Sequence, residues 1–221
     1  MIAKDYRQAA WEKLSGKWGT LAVMTLIYSF ILGVVDSLSS ISPYVMGSVA
    51  FVVTALLVGP FNLSWAYTSQ KVQQKKDVKV EDLFFGFNNF VQAFVLELIN
   101  GIFIFLWSLL LIIPGIIKML AYSMSFFILN ENPEISFSDA RKKSIEMMDG
   151  YKWRLFCLYF SFIGWILLGI LTLGILFFWV SPYMQVAKAE FYENIKIERG
   201  LKDDTPKTEG KQAQTNEQQT E

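Results

Sequence analysis

Long apolar segments separated by short polar stretches dominate the chain and predict a bundle of membrane-spanning helices. A membrane helix needs about 20 mainly apolar residues. The apolar block from 90 to 129 is 40 residues long and therefore predicts two helices that turn at Pro114 and Gly115. In total the pattern predicts six spans. Their predicted bounds are about 19–36, 44–67, 90–113, 115–129, 155–172 and 174–191.

The number of spans depends on the last apolar block, which admits either one long tilted helix or two helices divided near 171–174. With six spans, four basic residues precede the first span, four lie in 71–82 and five lie in 130–154. Six more follow from Lys188 to the C-terminus, so 19 of the 20 share one side and only Lys118 does not. Basic residues concentrate on the cytoplasmic side of membrane proteins. The sequence therefore predicts six spans with both termini in the cytoplasm.

Two amphipathic helices accompany the predicted membrane domain of residues 19–195. Over residues 1–18 apolar side chains recur at every fourth position, which favours a helix lying on the membrane surface and not a cleaved signal peptide. Residues 136–149 begin with a capping-box pattern and predict a second helix of this kind. Residues 196–221 are polar and predict a disordered cytoplasmic tail.

The composition agrees with a membrane protein and excludes several classes of site. Charged residues make up 18% of the chain, below the roughly 25% of soluble domains, and hydrophobic residues make up 53%. The absence of histidine excludes histidine-based catalysis and imidazole zinc sites, and the single Cys157 cannot form an internal disulfide. No nucleotide-binding loop is present, and the net charge is zero. The sequence therefore predicts no cofactor, no enzymatic activity and no nucleic-acid partner.

Short motifs in the second half of the chain resemble a known family. They are Ile113-Pro114-Gly115-Ile116-Ile117-Lys118, Tyr122-Ser123, Met147-Met148, Ser161-Phe162-Ile163-Gly164-Trp165, Leu171-Thr172-Leu173-Gly174-Ile175, Trp179-Val180, Pro182-Tyr183 and Ala189-Glu190-Phe191-Tyr192. Over about residues 3–195 the chain resembles the bacterial membrane family known as domain of unknown function 975. The resemblance implies a six-span protein of the bacterial plasma membrane. More distantly, the proline–glycine hairpin with its amphipathic loop resembles the membrane domain of some glycerophosphodiester phosphodiesterases, whose catalytic domain this sequence lacks.

Glu97 is the strongest candidate for a functional side chain. It lies in the third predicted span, where an uncompensated carboxylate costs several kcal/mol, and Asn100 lies about one turn further along the same helix. The two residues predict either a proton or cation site or a protonated carboxyl group that holds helices together. Lys118 belongs to this intramembrane polar site only if the 90–129 hairpin is re-entrant. In a hairpin that crosses fully, its side chain extends to the outer headgroups.

Prolines and basic residues predict two further kinds of site. Pro60, the Pro114-Gly115 pair and Pro182 interrupt apolar spans, which predicts either broken helices of the kind that bind substrates in transporters or ordinary packing. The loop between the fourth and fifth predicted spans is basic, which predicts contact with anionic lipid headgroups in addition to a role in topology. Its basic residues are Arg141, Lys142, Lys143, Lys152 and Arg154.

Three classes of function are compatible with these features. The favoured one is a non-enzymatic scaffold, accessory or immunity-type factor that acts through contacts with lipid, with another membrane protein or with a second copy of the chain. It is favoured because the intramembrane polar groups are few and no two clearly converge in the sequence. The second class is a small transporter or channel-like protein that uses Glu97 and the broken helices. A membrane-embedded enzyme comes last.

Overall fold

The structure, a computed structural model, describes residues 2–39 and 45–201, and within these residues it contains helices and no strand. The predicted all-α fold class is therefore confirmed. The α-helices are α1 (Ala3–Leu14), α2 (Trp18–Ser39), α3 (Val45–Gln73), α4 (Phe90–Leu110), α5 (Ile112–Tyr122), α6 (Ser125–Glu131), α7 (Phe137–Met147), α8 (Lys152–Phe160), α9 (Ile163–Leu171) and α10 (Phe177–Glu198). A 3₁₀ helix, Val80–Asn89, leads directly into α4.

Two parts of the prediction fall outside the described residues. Residues 40–44 include the start of the second predicted span, and residues 202–221 make up most of the predicted disordered tail. The first residues of that predicted tail, 196–198, belong to α10 and are helical.

Five segments of the described chain are helical, long and apolar enough to cross a membrane, which supports the assignment as a membrane protein. They are Trp18–Ser37, Val49–Gln73, Val80–Leu110, Ile112–Glu131 and Lys152–Leu171. Most of the sixth predicted span, 174–191, lies in α10, which begins at Phe177. This helix is not among the five segments, and its second half carries Lys188, Glu190 and Glu193. That the chain has six spans, and that both termini lie in the cytoplasm, therefore stay predictions.

The N-terminal helix packs against the other helices. Tyr6, Ala10 and Leu14 lie on one face of α1 and are fully buried, because this face covers α10 and α8. The helix ends at Leu14, earlier than the predicted residue 18, and Trp18 already begins α2. The apolar face that predicted a membrane-surface helix is thus used for contacts within the protein.

Of the two alternatives for Pro60 and Pro182, broken helices or ordinary packing, the helices themselves fit packing, because α3 and α10 each continue through the proline. A membrane helix tolerates a proline where neighbouring elements compensate for the missing amide donor. Around Pro60 these neighbours are very close. A Cβ atom on Gly59 would lie 2.6 Å from the carbonyl oxygen of Ala93, and one on Gly86 would lie 2.0 Å from that of Pro60. The 3₁₀ helix and α4 therefore enclose α3 at this point.

The hairpin of α4 and α5 turns at Leu111, not at the predicted Pro114 and Gly115. Pro114 is the third residue of α5, in the first helical turn, where a backbone amide has no acceptor within the helix and a proline costs little. Gly115 serves the packing of the two helices, because a Cβ there would lie 2.0 Å from the Oγ atom of Ser108 on α4. Both residues belong to the hairpin, but neither forms its turn.

The helix interruptions lie between α5 and α6 and between α8 and α9. At each of them a side chain of an amphipathic helix, α7 or α1, forms hydrogen bonds with the backbone. Between α5 and α6, the hydroxyl of Ser144 on α7 donates to the carbonyl of Ala121 at 2.7 Å and accepts from the amide of Met124 at 3.2 Å. Between α8 and α9, the guanidinium of Arg7 on α1 donates to the carbonyl of Ser161 at 2.8 Å. Each amphipathic helix thus satisfies backbone groups that an interrupted helix leaves without partners.

Candidate functional site

Polar side chains from three helices converge on one cavity in the bundle. Glu97 and Asn100 lie one turn apart on α4, Asn62 faces them from α3, and Lys188 reaches the cavity from α10. The cavity has a volume of about 170 Å³. Its other lining residues are Ala66, Gly101, Ile104, Tyr122, Ser123, Phe126, Phe127 and Gln185.

Only part of the polar capacity of this cavity is satisfied within the protein. The Asn62 amide donates to the Glu97 carboxylate at 3.2 Å. Asn100 is 6% exposed, and its Oδ1 atom has no hydrogen-bond partner among the described residues. The Lys188 ammonium lies 5.4 Å from the centre of the Phe127 ring and makes no hydrogen bond or ion pair within the described chain. Buried polar groups in proteins are nearly always satisfied, so the Oδ1 atom of Asn100 points to a ligand or to water beside the partly exposed Lys188.

Two apolar grooves adjoin the polar cavity. The first, of about 390 Å³, runs between α3 and α4 and is lined by Glu97 together with apolar residues such as Val58, Ile102 and Phe105. The second, of about 490 Å³, lies between α5 and α8 and shares Lys188 and Ser123 with the cavity. Because each groove contains one of the two charged residues, apolar and ionic surfaces are continuous here. This arrangement suits an amphiphilic molecule.

The structure brings together two of the three residues predicted for the intramembrane polar site. Glu97 and Asn100 share the cavity, but Lys118 lines neither the cavity nor the two grooves. The Lys118 ammonium lies 4.9 Å from the centre of the Trp107 ring, which is a cation–π contact on the α4–α5 hairpin. The basic residue at the cavity is instead Lys188.

Lys188 and Asn62 were missed by the sequence analysis. Lys188 falls inside the predicted span 174–191, where any ionisable residue is a functional candidate. It was not predicted as a site residue because it was counted among the six basic residues on the cytoplasmic side near the C-terminus. Asn62 could not be predicted, because a single asparagine near Pro60 is common in such a helix and only the packing of α3 on α4 places it beside Glu97.

The five bases predicted to bind anionic lipid have different surroundings. Lys142 and Lys152 lie 3.8 and 3.6 Å from Asp139 and Asp149, in pairs within their own segments. Arg141 lies over the Phe103 ring at 4.3 Å, and its Nε and Nη1 atoms have no hydrogen-bond partner in the described chain. Lys143 lines a cleft beside Glu131 and Glu146. Lipid binding by these four residues stays a prediction.

Arg154, the fifth of these bases, is engaged within the protein. Its guanidinium donates to both carboxylate oxygens of Glu198, at 2.7 and 3.0 Å, and to the Tyr6 hydroxyl at 2.5 Å. These hydrogen bonds hold the pKa of Glu198 below its usual range, and burial raises the pKa of Tyr6. Arg154 therefore joins α1, α8 and α10, and lipid binding by this residue also stays a prediction.

Comparisons with known proteins identify a family. No curated protein and no solved structure matches the chain. The predicted similarity to the membrane domain of glycerophosphodiester phosphodiesterases is not shown by these comparisons and stays a prediction. The model of one family matches residues 1–121 and 108–199, which together cover most of the chain. The chain therefore belongs to the family described as "Protein of unknown function (DUF975)".

Proposed function

We propose that the protein is a non-enzymatic, multi-pass protein of the bacterial plasma membrane that binds one amphiphilic lipid and acts through this contact as a scaffold, accessory or immunity-type factor. Both termini lie in the cytoplasm, as the distribution of basic residues predicts. The observation that carries the proposal is the convergence of Glu97 and Lys188 on a polar cavity that adjoins two apolar grooves.

The chemistry of the cavity fits a phospholipid headgroup. The Lys188 ammonium is a donor for a phosphate oxygen, and the unpaired Oδ1 atom of Asn100 accepts from an amine or hydroxyl of the headgroup. Glu97 provides a countercharge for an amine. The grooves at Val58 and at Met119 offer apolar surface to one acyl chain each.

The proposal is tested by measuring how much lipid is retained by variants in which one lysine is replaced by an uncharged residue. Protein extracted from native membranes is analysed by native mass spectrometry, and the fraction carrying one phospholipid adduct is measured for the wild type and for Lys188→Met. Lys118→Met is the matched control, because Lys118 is also an intramembrane lysine but lies outside the cavity. We expect Lys188→Met to reduce the adduct at least tenfold and Lys118→Met to leave it unchanged. Equal adduct in all three proteins would contradict the proposal.

A small transporter or channel-like protein is the alternative, and the position of the Glu97 carboxylate at the cavity favours it. Glu97→Gln separates the two functions. The variant keeps an acceptor for the Asn62 amide, so the fold and lipid retention should survive. Loss of a proton or cation flux in proteoliposomes, with lipid retention intact, would establish transport. The absence of any flux in the wild type would leave lipid binding as the function of the site.

A further inference from the structure

The tips of two helical hairpins are uncharged, consist mainly of apolar residues and are highly exposed. Leu111, at the turn between α4 and α5, is 64% exposed, and Leu173, between α9 and α10, is 94% exposed. No charged residue occurs in 103–117 or in 155–187. Contact of leucine side chains with water is unfavourable, and each tip exposes several large apolar side chains. Neither tip is suited to water.

One arm of each hairpin is a short helix, whereas the other arms, α4 and α10, have 21 and 22 residues. The helix α5 has 11 residues and α9 has 9, which correspond to about 16 and 14 Å. The hydrocarbon core of a bilayer is about 30 Å thick. By themselves α5 and α9 therefore each cover only about half of that thickness, because helix interruptions separate them from α6 and α8 in the 20-residue segments Ile112–Glu131 and Lys152–Leu171.

The position of α7 indicates how deeply the α4–α5 hairpin enters the bilayer. The side chains of Asp139 and Lys142 on α7 are 56% and 67% exposed, so this helix belongs at the headgroups or in water. Its Arg141 lies over the rings of Phe103 and Tyr122 on the hairpin, at 4.3 and 5.7 Å. Leu111 lies eight residues beyond Phe103, which is at most about 12 Å along the helix.

An aromatic cluster indicates where the α9–α10 hairpin enters the headgroup region of the membrane. The Tyr183 ring lies 6.1 Å from Trp18 and 6.3 Å from Trp165, and the Trp11 ring of α1 lies 4.9 Å from Trp18. Tryptophan and tyrosine concentrate at membrane interfaces. Leu173 lies eight residues beyond Trp165; the six residues up to Leu171 are helical and rise about 9 Å, and two residues of the turn follow.

The hairpin of α2 and α3 differs from the other two. The helix α2 starts at Trp18, in the same aromatic cluster, and continues without interruption for 22 residues, or about 33 Å. This length is enough to cross the hydrocarbon core.

We propose that only the α2–α3 hairpin crosses the bilayer, and that the α4–α5 and α9–α10 hairpins enter from the face that carries α1 and α7 and end among the acyl chains. Acyl chains cover Leu111 and Leu173 from every side. The protein then has two full spans and two half-spanning hairpins in place of six spans, with both termini still on one side. This inference rests on helix lengths and interface markers and is independent of the lipid site.

Cysteine labelling tests where each tip lies. In a Cys157→Ala background, single cysteines replace Leu111 or Leu173, and a membrane-impermeant maleimide is applied to intact cells and to inverted vesicles. Ser42→Cys, in the segment between α2 and α3, is the external control, and Gln74→Cys, after α3, is the cytoplasmic control. We expect both tip cysteines to stay unlabelled from either side and to react fully after solubilisation in detergent. Labelling of either tip in intact cells, as for Ser42→Cys, would overturn the proposal.

A depth measurement on the same variants gives an independent result. Spin labels at positions 111 and 173 report their depth in liposomes through collisions with oxygen and with a water-soluble nickel complex. Half-spanning hairpins predict depths of about 10–15 Å from the headgroups, the distances that the arms allow. Labels at headgroup depth on either face would overturn the proposal.

Discussion

The hydroxyl of Ser144 bridges the interruption between α5 and α6, donating to the Ala121 carbonyl at 2.7 Å and accepting from the Met124 amide at 3.2 Å. Ser144 is fully buried, although it lies on a helix whose other face is charged. One side chain therefore joins the amphipathic α7 to the apolar hairpin. This contact places Arg141, one turn earlier on α7, over Phe103 of α4.

Replacement of Ser144 tests how much this bridge stabilises the protein. Ser144→Ala leaves two buried backbone groups without partners, and each unsatisfied group costs about 1–3 kcal/mol. We expect a clear fall in the thermal midpoint of the protein in detergent. Ser138→Ala, on the same helix and without such a bridge, should change the midpoint little. Equal midpoints for the two variants would show that the bridge is unimportant.

The close approach of α4 and α5 predicts an asymmetry between two glycines. Gly115→Ala places a Cβ 2.0 Å from Ser108 Oγ and 3.0 Å from its Cα, so the helices must move apart, at a cost of about 1–3 kcal/mol. Gly164→Ala meets open space and is the control. The midpoint of thermal unfolding should fall for Gly115→Ala alone. Restoration by Ser108→Gly in the same chain would identify this contact as the cause.

The attachment of the N-terminal helix predicts the effect of removing one charge. Lys13 on α1 forms an ion pair of 2.5 Å with Glu190 on α10, whose side chain is only 11% exposed. Lys13→Met leaves that carboxylate without its cation, and a buried charge that loses its partner is strongly destabilising. We expect faster proteolysis of residues 2–17 and a lower thermal midpoint. Lys4→Met, at an exposed position of the same helix, should behave like the wild type.

The Arg154–Glu198 contact predicts a dependence of stability on pH. Its hydrogen bonds hold the pKa of Glu198 below the value in the unfolded chain, about 4.3 for an ordinary glutamate. The stabilisation is therefore fully present above that value and is lost as the pH falls through the folded pKa. Between pH 7 and pH 3 the thermal midpoint of the wild type should fall more than that of Glu198→Gln. Parallel curves for the two proteins would contradict this assignment.

Helix type and membrane character were predictable because they depend on the residues of one segment at a time. The apolar content of 90–110 makes α4 a membrane helix wherever its neighbours lie, and Glu97 and Asn100 share a face because they are one turn apart. The capping pattern at Ser136 likewise starts α7, where the Ser136 hydroxyl accepts from the Asp139 amide. These features need no information from distant parts of the chain.

The helix interruptions were not predictable from the prolines. Pro60 and Pro182 lie inside continuous helices, whereas α5 ends at Tyr122 without a proline or glycine in the following turn. Such an interruption is stable because Ser144, 23 residues from Ala121, satisfies the freed backbone groups. A local pattern contains no information about that partner.

The sequence by itself determined that this is a helical protein with membrane-type apolar segments, and it identified Glu97 and Asn100 as a pair, because hydropathy and helical spacing act along one segment. Only the tertiary structure decided that Asn62 and Lys188 join them and that Lys118 does not. These residues lie on different helices, and the faces that meet depend on the packing of the whole bundle, which the 3.6-residue period of a single helix leaves open.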